Sequence, residues 1–488
     1  MGNAYGNVAE TEISTTENAE IVMNVPSDPR VLGGARHLDK REDVLIIGGG
    51  VVGVCAAYYL AGQGRSVTLV EKDDICAGAS YGNAGLIVPS YAIPLAAPGV
   101  LTQGLKWLLD ADSPLYIKPR LDLELVRWLW QFQAACHEGP MRRSIPILLA
   151  LGRTSHTLLK ELVASNDLPC GYEQKGWLLL FNSRGGFQEG YKEARLLQEY
   201  GVESQVLDAA GVRRIEPNVT PSVIGAIYYP EDAHLIPNRF VLELARLAES
   251  LGASIQTGME VLGFETSGRR ISAVVTTRGE LHPNQVVLAT GAWSPVVARD
   301  LRWRLPIQSA KGYSITVKST PTSPQVPLYL SESKVAVTPM GEMLRFSGTL
   351  ELTGLDLSVN RRRVAAIERA TRQYLLGMER LELVEIWRGL RSVTPDGLPI
   401  IGRSDALENL IVAAGHGMLG ISLGPVTGKL VRQILVGESP AVDLRPLGVE
   451  RFRGKPQTAD PRVGSRPTRP AKHSSFSRTV FRSFVERV

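Results

Sequence analysis

The stretch Asp43-Val-Leu-Ile-Ile-Gly-Gly-Gly-Val-Val-Gly53 determines how this chain of 488 residues begins to fold. Residues 44–47 are apolar and mostly β-branched, which is typical of a strand buried in a parallel sheet. The strand runs into glycines spaced as Gly48-x-Gly50-x-x-Gly53, and residues 54–61 are predicted to form a helix. A second predicted strand, residues 66–71, ends in an acid, Glu71. Together these features predict a βαβ unit that binds a dinucleotide.

Each part of this unit has a physical role. Gly48 permits a sharp turn, Gly50 lets the backbone approach a pyrophosphate, and Gly53 lets the helix pack closely on the strand. The helix N-terminus offers free N–H groups and the positive end of its dipole to the phosphates. Glu71 can accept hydrogen bonds from both ribose hydroxyls and would repel a 2′-phosphate, which argues against NADP.

The composition is that of an ordinary globular protein of about two or three domains. Hydrophobic residues make up 44% and charged residues 21% of the chain, and the net charge of +5 is too small to indicate a nucleic-acid partner. The four cysteines have neither CxxC nor metal-ligand spacing, so we expect no structural metal and a reducing, cytoplasmic compartment.

The two ends of the chain differ from the rest. Residues 1–42 lack the basic start and apolar core of a signal peptide and are expected to form a disordered leader. Residues 454–488 are rich in Arg, Ser and Pro. Near their end, Phe481, Phe484, Val485 and Val488 would share one face of a basic amphipathic helix. This pattern would suit peripheral contact with an anionic inner membrane, and a solvated tail is the alternative.

Helices and strands are expected throughout the region between these ends. Residues 307–318 are expected to form a strand pair around Lys311-Gly-Tyr-Ser314, and Asn238 is expected to cap a helix that runs through Leu251. The other predicted helices cover residues 105–109, 121–135, 147–162, 188–200, 361–376 and 425–436. Further predicted strands cover residues 176–181, 226–229, 254–257, 260–266, 271–277, 285–288 and 382–390, with a hairpin over 335–349 and a strand over 410–414.

Motifs that lie far apart in the chain resemble the FAD-dependent D-amino acid oxidase/dehydrogenase superfamily. They are the glycine fingerprint, Ala289-Thr-Gly-Ala-Trp-Ser294, Trp387-Arg-Gly-Leu-Arg391 with Thr394-Pro-Asp-Gly397, and Gly415-His-Gly417 with Gly420. A second set looks more narrowly like the bacterial D-amino acid dehydrogenases: Asn83-Ala-Gly85, Tyr91 with Ala97-Pro-Gly99, Lys106-Trp107 and Lys311-Gly-Tyr-Ser314. The resemblance covers about residues 43–453.

The resemblance implies FAD as cofactor and a 2-amino acid as substrate. It also implies a mixed α/β fold, in which a Rossmann-like FAD-binding domain is interleaved with an antiparallel-sheet substrate domain. On this basis the FAD-binding domain is expected over residues 43–110, 201–302 and 385–453, and the substrate domain over residues 111–200 and 303–384.

The resemblance also implies which residues hold the cofactor. Those matching the ADP half are Gly48, Gly50, Gly53, Glu71, Val261, Gly291 and Trp293. Those matching segments around the isoalloxazine ring are Asn83, Gly85, Gly415, Gly417, Met418 and Gly420. Residues in or beside the same segments are also expected to bind it: Val51, Val52, Lys72, Ser80, Ala84, Leu86, Thr290 and Leu419.

Five residues are candidates for the reaction itself. Arg391 matches the arginine that clamps the substrate carboxylate, which a planar guanidinium grips through two hydrogen bonds. His416 could place a donor or a positive charge near the N1/C2=O edge of the reduced flavin. Tyr313, Tyr91 and His234 are candidates for the pocket wall. The alternatives are a surface ion pair for Arg391, helix capping for the two histidines, and plain packing for the tyrosines.

Two positions depart from the family pattern. Ser392 stands where proline often follows the arginine, which affects local stiffness more than chemistry. Asp232-Ala-His234 differs from the broad-range enzymes and leaves the identity of the amino acid open.

The expected activity is oxidation of a small or cyclic D-amino acid, such as D-alanine, D-proline or hydroxy-D-proline, by hydride transfer to flavin N5. The electrons would pass to an acceptor other than NAD, such as a quinone. Three alternatives stay open: a glycine- or sarcosine-type oxidase that uses O₂, a flavoprotein subunit of a larger electron-transfer dehydrogenase, and an NAD enzyme without flavin. The oligomeric state is also open.

Overall fold

The computed structural model describes residues 43–101, 104, 115–118, 120–301 and 303–452. The predicted leader, the predicted helix over residues 105–109 with the Lys106-Trp107 motif, and the basic tail at 454–488 lie outside the described residues. Within the described part of the chain, no helix is both long and apolar enough to cross a membrane.

The described elements alternate between strands and helices along the chain. The strands are β1 (Val44–Ile47), β2 (Val67–Val70), β3 (Leu86–Ile87), β4 (Leu115–Ile117), β5 (Trp177–Phe181), β6 (Gln205–Asp208), β7 (Gly225–Tyr229), β8 (Ala233–His234), β9 (Ser254–Gln256), β10 (Val261–Ser267), β11 (Arg270–Thr276), β12 (Gly279–Leu281), β13 (Gln285–Leu288), β14 (Gln308–Lys318), β15 (Leu328–Leu330), β16 (Val335–Met340), β17 (Met343–Leu352), β18 (Leu383–Val393), β19 (Ile400–Arg403), β20 (Leu410–Ala414) and β21 (His416–Gly417).

The helices are α1 (Val51–Ala61), α2 (Leu123–Ala135), α3 (Glu138–Asn166), α4 (Arg184–Gln198), α5 (Ala209–Ile215), α6 (Pro237–Ser250), α7 (Ser294–Asp300), α8 (Arg361–Tyr374) and α9 (Gly420–Val436). Short 3₁₀ helices cover Gly291–Trp293, Arg445–Leu447 and Val449–Phe452.

The first sheet is the one that the glycine stretch predicts. Its strand order is β19-β20-β13-β1-β2-β9, and its neighbours are parallel except for the pair β19–β20. Helix α1 connects β1 to β2 and packs against α6 and α9. Glycines allow α1 and α9 to touch, because a Cβ on Gly428 would lie 2.5 Å from the backbone carbon of Cys55. The prediction of a Rossmann-like part is confirmed.

The second sheet is larger and mostly antiparallel. Its order is β21-β18-β14-β17-β16-β15-β5-β7-β6, with β4 paired to β17, and only the pairs β15–β5 and β17–β4 among its described neighbours are parallel. Helix α8 packs on one face, where its side chains join a core cluster with Tyr313 and Phe346. Two sheets of these kinds confirm the predicted mixed α/β fold.

A buried ionic cluster ties the large sheet to the segment before α8. The Lys311 ammonium lies 3.4 Å from a Glu351 carboxylate oxygen and 3.5 Å from Asp356. The Tyr313 hydroxyl donates to Glu351 over 2.9 Å, and Arg363 lies 3.4 Å from the second Glu351 oxygen. Lys311 and Glu351 are almost fully buried, so their charges depend on one another rather than on water.

Several local predictions were wrong in detail. Residues 308–318 form one continuous strand, not a strand pair, because the segment runs through the middle of the large sheet with strands on both sides. Asn238 does not cap α6; the helix begins at Pro237, whose fixed φ suits the first helical position. Helix α3 also extends well beyond the predicted 147–162, with Pro146 inside it.

The sheets also divide the chain differently from the expected domain boundaries. Strand β18 crosses the expected boundary at 384/385 and belongs to the large sheet. Strands β6 and β7 belong to it as well, although they fall inside the expected FAD-binding segment 201–302. These strands join the large sheet by pairing with segments that are distant in sequence. Local sequence patterns do not predict such pairing.

Candidate active site

One cavity of about 1350 Å³ connects the glycine turn after β1 to the face of the large sheet that carries Arg391. Pockets for drug-sized ligands span roughly 300–1,000 Å³, so this volume has room for a dinucleotide and a small substrate together.

The glycine turn has the geometry that a pyrophosphate requires. Gly48 has φ +113°, and a Cβ there would lie 2.6 Å from the Ala289 carbonyl oxygen. A Cβ on Gly53 would lie 1.9 Å from the Gly48 carbonyl oxygen, so its role is to let α1 approach the turn. The first helical N–H, of Val51, donates to the Ser80 hydroxyl over 3.0 Å. The turn and the start of α1 therefore fit a dinucleotide phosphate.

Glu71 follows β2 at the edge of the cavity. One of its carboxylate oxygens accepts from the Gly49 N–H over 2.7 Å, and the other accepts from the Asp73 N–H over 3.0 Å. The carboxylate is thus fixed beside the glycine turn, with acceptor capacity left for ribose hydroxyls.

The wall expected to meet the adenine half is formed by two segments. Val261, Thr290, Gly291 and Trp293 all line the cavity. The Lys72 ammonium lies 4.7 Å from the centre of the Trp293 ring. Together with the glycine turn, these residues give the cavity one end suited to a nucleotide.

Of the residues expected around the flavin ring, most line the cavity and two do not. Lining residues are Ser80, Asn83, Ala84, Leu86, Gly417, Met418, Leu419 and Gly420. Gly85 and Gly415 are not among them, so their contact with the cofactor stays a prediction. Their φ angles are +72° and +80°, and a Cβ would lie 2.2 Å from the Leu235 carbonyl oxygen and 2.6 Å from the Thr394 side chain. They shape the loops by packing against protein.

The sequence context of Arg391 predicted a position at a strand end. In the structure, Arg391 lies inside β18. Its guanidinium covers Gly312 of the neighbouring strand, where a Cβ would lie 1.9 Å from Nη1. Nη1 donates to the Thr349 carbonyl over 2.8 Å, and Thr349 has a left-handed φ of +63°. Arg391 makes no ion pair with a carboxylate among the described residues, so the surface ion pair is excluded there.

Burial lowers the pKa of the Arg391 guanidinium, while Tyr329 and Tyr91 oppose that shift. An arginine stays charged even so, and a partly buried cation without a carboxylate partner attracts a carboxylate. Tyr91 lines the same cavity, and its ring meets Trp177 edge-on at 5.9 Å between centres. Burial raises the pKa of Tyr91 to about 12, so its hydroxyl remains a hydrogen-bond donor at neutral pH.

His416 lines the cavity but is not a cation. Its Nε2 lies 2.9 Å from the Thr427 hydroxyl, and burial lowers its pKa to about 4. The imidazole is therefore neutral at neutral pH. A role as a neutral polar group is compatible with this pKa, and the predicted role as a positive charge is not. It belongs to β21 and does not cap α9, which begins after Leu419.

Tyr313 and His234 are both engaged with other parts of the protein, but only Tyr313 is among the residues that line the cavity. Tyr313 follows Gly312 in β14, so its side chain projects from the opposite face of the sheet, and its hydroxyl is bonded to Glu351 and to the Asn360 N–H. His234 is not among the cavity residues; it faces Glu173 at 3.4 Å, and burial lowers its pKa to about 4. His234 is therefore a correction to the expected pocket wall, whereas Tyr313 lines the cavity while its hydroxyl is bonded elsewhere.

Asp232, in the segment that departs from the family pattern, supports the pocket indirectly. It is fully buried and accepts from the Ser90 N–H over 3.2 Å, and it also bonds the Ser90 hydroxyl. Burial raises its pKa to about 7. Because Ser90 precedes Tyr91, Asp232 fixes the backbone that presents the tyrosine to the cavity.

Sequence reasoning missed several polar or aromatic residues of the cavity wall, among them Tyr329, Trp177 and Glu193. Tyr329 and Trp177 come from strands, and Glu193 comes from α4. The strands that carry Tyr329 and Trp177 have the composition of ordinary core strands, and the helix that carries Glu193 has that of a solvated helix. Only tertiary packing shows that these residues face the cavity.

Comparisons with known proteins agree with this geometry. The model of the DAO family, described as FAD dependent oxidoreductase, matches residues 43–434. A D-amino acid dehydrogenase of Methylobacterium nodulans is 35% identical over 419 residues, covering 84% of this chain and 99% of that protein. One from Granulibacter bethesdensis is 32% identical over 417 residues, covering 84% and 100%.

Solved structures show the same fold. Glycine oxidase from Geobacillus kaustophilus aligns with TM-score 0.70 and 24% identity, covering 85% of this chain and 100% of that one. L-proline dehydrogenase from P.horikoshii aligns with TM-score 0.68 and 19% identity, covering 85% and 98%.

Proposed function

The chain belongs to the DAO family of FAD dependent oxidoreductases, and from that premise we propose that it is a dehydrogenase that oxidises the Cα–N bond of a D-amino acid. The observation that carries the proposal is the partly buried guanidinium of Arg391, which has no carboxylate partner among the described residues and lies in the wall of the cavity that begins at the glycine turn. The relatives named D-amino acid dehydrogenase support the choice of substrate class.

The described residues have separate tasks in this proposal. FAD, when bound, supplies N5 as the acceptor of the Cα hydride. Arg391 holds the substrate carboxylate through a two-bond fork and so fixes the orientation of Cα. Tyr91 offers a neutral hydroxyl donor beside it, and His416 adds a neutral polar group to the wall. Aromatic walls around these groups exclude water and strengthen their electrostatic effects.

We propose a small or cyclic substrate of the D-alanine, D-proline or hydroxy-D-proline type. Oxidation would give a 2-oxo acid and ammonia, or a cyclic imine from a ring. The electrons would leave to an acceptor other than NAD, such as a quinone.

A panel of D- and L-amino acids tests the proposal directly. Purified holoenzyme, mixed anaerobically with each amino acid, should lose its oxidised flavin absorbance with one or more D-enantiomers and not with the matching L-enantiomers. Bleaching by L-enantiomers alone, or by none of the panel, would overturn it. Hydrogen peroxide formed at the rate of turnover in air would indicate an oxidase instead of a dehydrogenase.

Glu71 should be required for tight retention of FAD. One hydrogen bond to a charged group contributes about 1.5–3 kcal/mol, so Glu71→Ala, which removes at least one, should weaken FAD binding by about 10- to 150-fold or more. Flavin absorbance after extensive dialysis measures the loss, and the remaining holoenzyme should keep its substrate profile. The exposed neighbour Asp74, changed to alanine, is the control. Full flavin content in Glu71→Ala would contradict the assignment.

The basic tail is proposed to bring the enzyme to an anionic membrane that contains the quinone. Full-length protein should float with vesicles containing anionic lipid and should float less with neutral vesicles. A variant that ends at Arg453 should lose this difference. Equal recovery of the two proteins with anionic vesicles would refute the membrane contact.

A further inference from the structure

We propose that Glu193 is a second substrate-binding group, and that it selects amino acids whose side chain carries its own hydrogen-bond donor, an ammonium or a hydroxyl. This inference rests on the proposed function, because it places the substrate carboxylate at Arg391. It adds a chemical requirement at the other end of the substrate.

Glu193 and Arg391 belong to the same chamber. Glu193 projects from α4, Arg391 from β18, and both line the cavity. Tyr91 and Tyr329 line the same cavity, and each interacts electrostatically with both charges. The chamber therefore has a cation, an anion and two tyrosine rings in its wall.

The Glu193 carboxylate has no hydrogen-bond or ion-pair partner in the described part of the chain, unlike its acidic neighbours. Glu189, one turn earlier on α4, lies 3.3 Å from the Lys192 ammonium. Glu332 accepts from the Ser183 hydroxyl over 2.8 Å and from Tyr374. Lys334 lies nearby and interacts with Glu193 electrostatically, but its ammonium is placed over the Tyr329 ring at 5.9 Å.

The cost of an unpaired carboxylate arises when a substrate fills the chamber. The Glu193 side chain is exposed to water from the cavity, although desolvation by the nearby protein raises its pKa against the opposing effect of Lys334. A substrate that fills the chamber would displace this water. A purely alkyl side chain would then leave the carboxylate without a partner, which is unfavourable, whereas an ammonium or hydroxyl would replace the lost hydrogen bond.

The two tyrosines have a role in this arrangement. Their rings provide an apolar surface for the methylene groups or ring carbons of the substrate, while the two charged ends fix its direction. Selectivity would thus come from the donor at the end of the side chain, and not from the size of the chamber alone.

Unreactive carboxylates test this inference without turnover. Saturated acids of four to six carbons lack a 2-amino group and cannot undergo the proposed reaction. Each chain length is titrated calorimetrically into holoenzyme in three forms: unsubstituted, with a terminal hydroxyl and with a terminal amine. In at least one chain length, a substituted form should bind about tenfold or more tighter than the unsubstituted acid.

Two variants locate the effect. In Glu193→Gln the preference for the amine should disappear, while a preference for the hydroxyl should survive in part because the amide oxygen still accepts. Glu189→Gln, on the same helix and cavity wall, should keep both preferences. A larger gain for the amine identifies a cationic side chain, and a larger gain for the hydroxyl identifies a hydroxylated one.

The outcomes separate this inference from the proposed function. If the unsubstituted acids bind and the substituted ones bind no tighter, or if Glu193→Gln keeps the amine preference, the role of Glu193 is refuted while the Arg391 site stands. If none of the acids binds, the carboxylate site fails and the inference fails with it. Flavin content and the thermal midpoint of each variant confirm that it is folded.

Discussion

Replacing Arg391 with alanine should lower kcat/KM by roughly 30- to 5,000-fold, which corresponds to a loss of about 2–5 kcal/mol of transition-state binding. The guanidinium lies over Gly312 in a wall that also carries Tyr91, and one of its donors is already held by the Thr349 carbonyl. A substrate carboxylate placed there pairs with a cation shielded from water, so losing the cation is costly. FAD should remain bound, because its expected phosphate and ribose contacts come from other segments.

Two variants define the effect more closely. Arg391→Lys keeps the charge but loses the planar fork, so it should recover only part of the activity. Arg388→Ala removes an arginine of the same strand whose Nε donates to the Leu357 carbonyl and which does not line the cavity. It should keep nearly normal kcat/KM. If Arg391→Ala retains kcat/KM within about twofold of the parent, Arg391 does not bind the carboxylate.

Replacing Glu351 with leucine should cost about 3–5 kcal/mol of unfolding free energy, because it leaves the Lys311 ammonium buried with weakened compensation. Glu351 is the shared partner of Lys311, Tyr313 and Arg363 on the side of the large sheet away from the cavity. Equilibrium urea unfolding of holoenzyme, followed by circular dichroism at fixed FAD concentration, measures the loss.

Comparison with an exposed pair tests the explanation. Glu382→Gln removes a carboxylate that lies 2.5 Å from Lys318 at the surface, and it should change the unfolding free energy by less than about 1 kcal/mol. The double variant Lys311→Met, Glu351→Leu should recover part of the stability, since it removes both buried charges. A Glu351→Leu variant as stable as Glu382→Gln would show that the buried cluster contributes little.

The sequence predicted best what depends on local geometry. The turn at Gly48, the helix after it and the acid at Glu71 follow from glycine conformation and strand and helix periodicity within one short segment. The unpaired Arg391 was found through a family motif.

Roles that depend on the face of the sheet from which a side chain projects were harder to predict. Gly312 and Tyr313 are neighbours in one motif, yet one lies under the substrate arginine and the other belongs to the buried ionic cluster. Because side chains alternate between the faces of a strand, a difference of one residue decides the role. Which face is turned toward the cavity is set by pairing between β14 and β18, far apart in sequence.

Glu193 was missed for a related reason. Its helix has the polar composition of any solvated helix, and a carboxylate there gives no sign of a cavity. The packing of α4 beside β5 and β7 brings it to the chamber.

The strand order of the nucleotide-binding sheet also determines when this enzyme can become active during its synthesis. Strand β1 lies between β2, which is made soon after it, and β13, which appears in the second half of the chain. The sheet is completed by β20, and α1 is covered by α9, which ends at Val436. The glycine turn therefore emerges from the ribosome early, but β13 beside β1 is made only in the second half of the chain, and the last two strands and the covering helix are made later still. Such long-range pairing slows folding and leaves apolar strands exposed meanwhile, so the nascent chain should need protection from aggregation, and FAD should bind only after synthesis is almost complete.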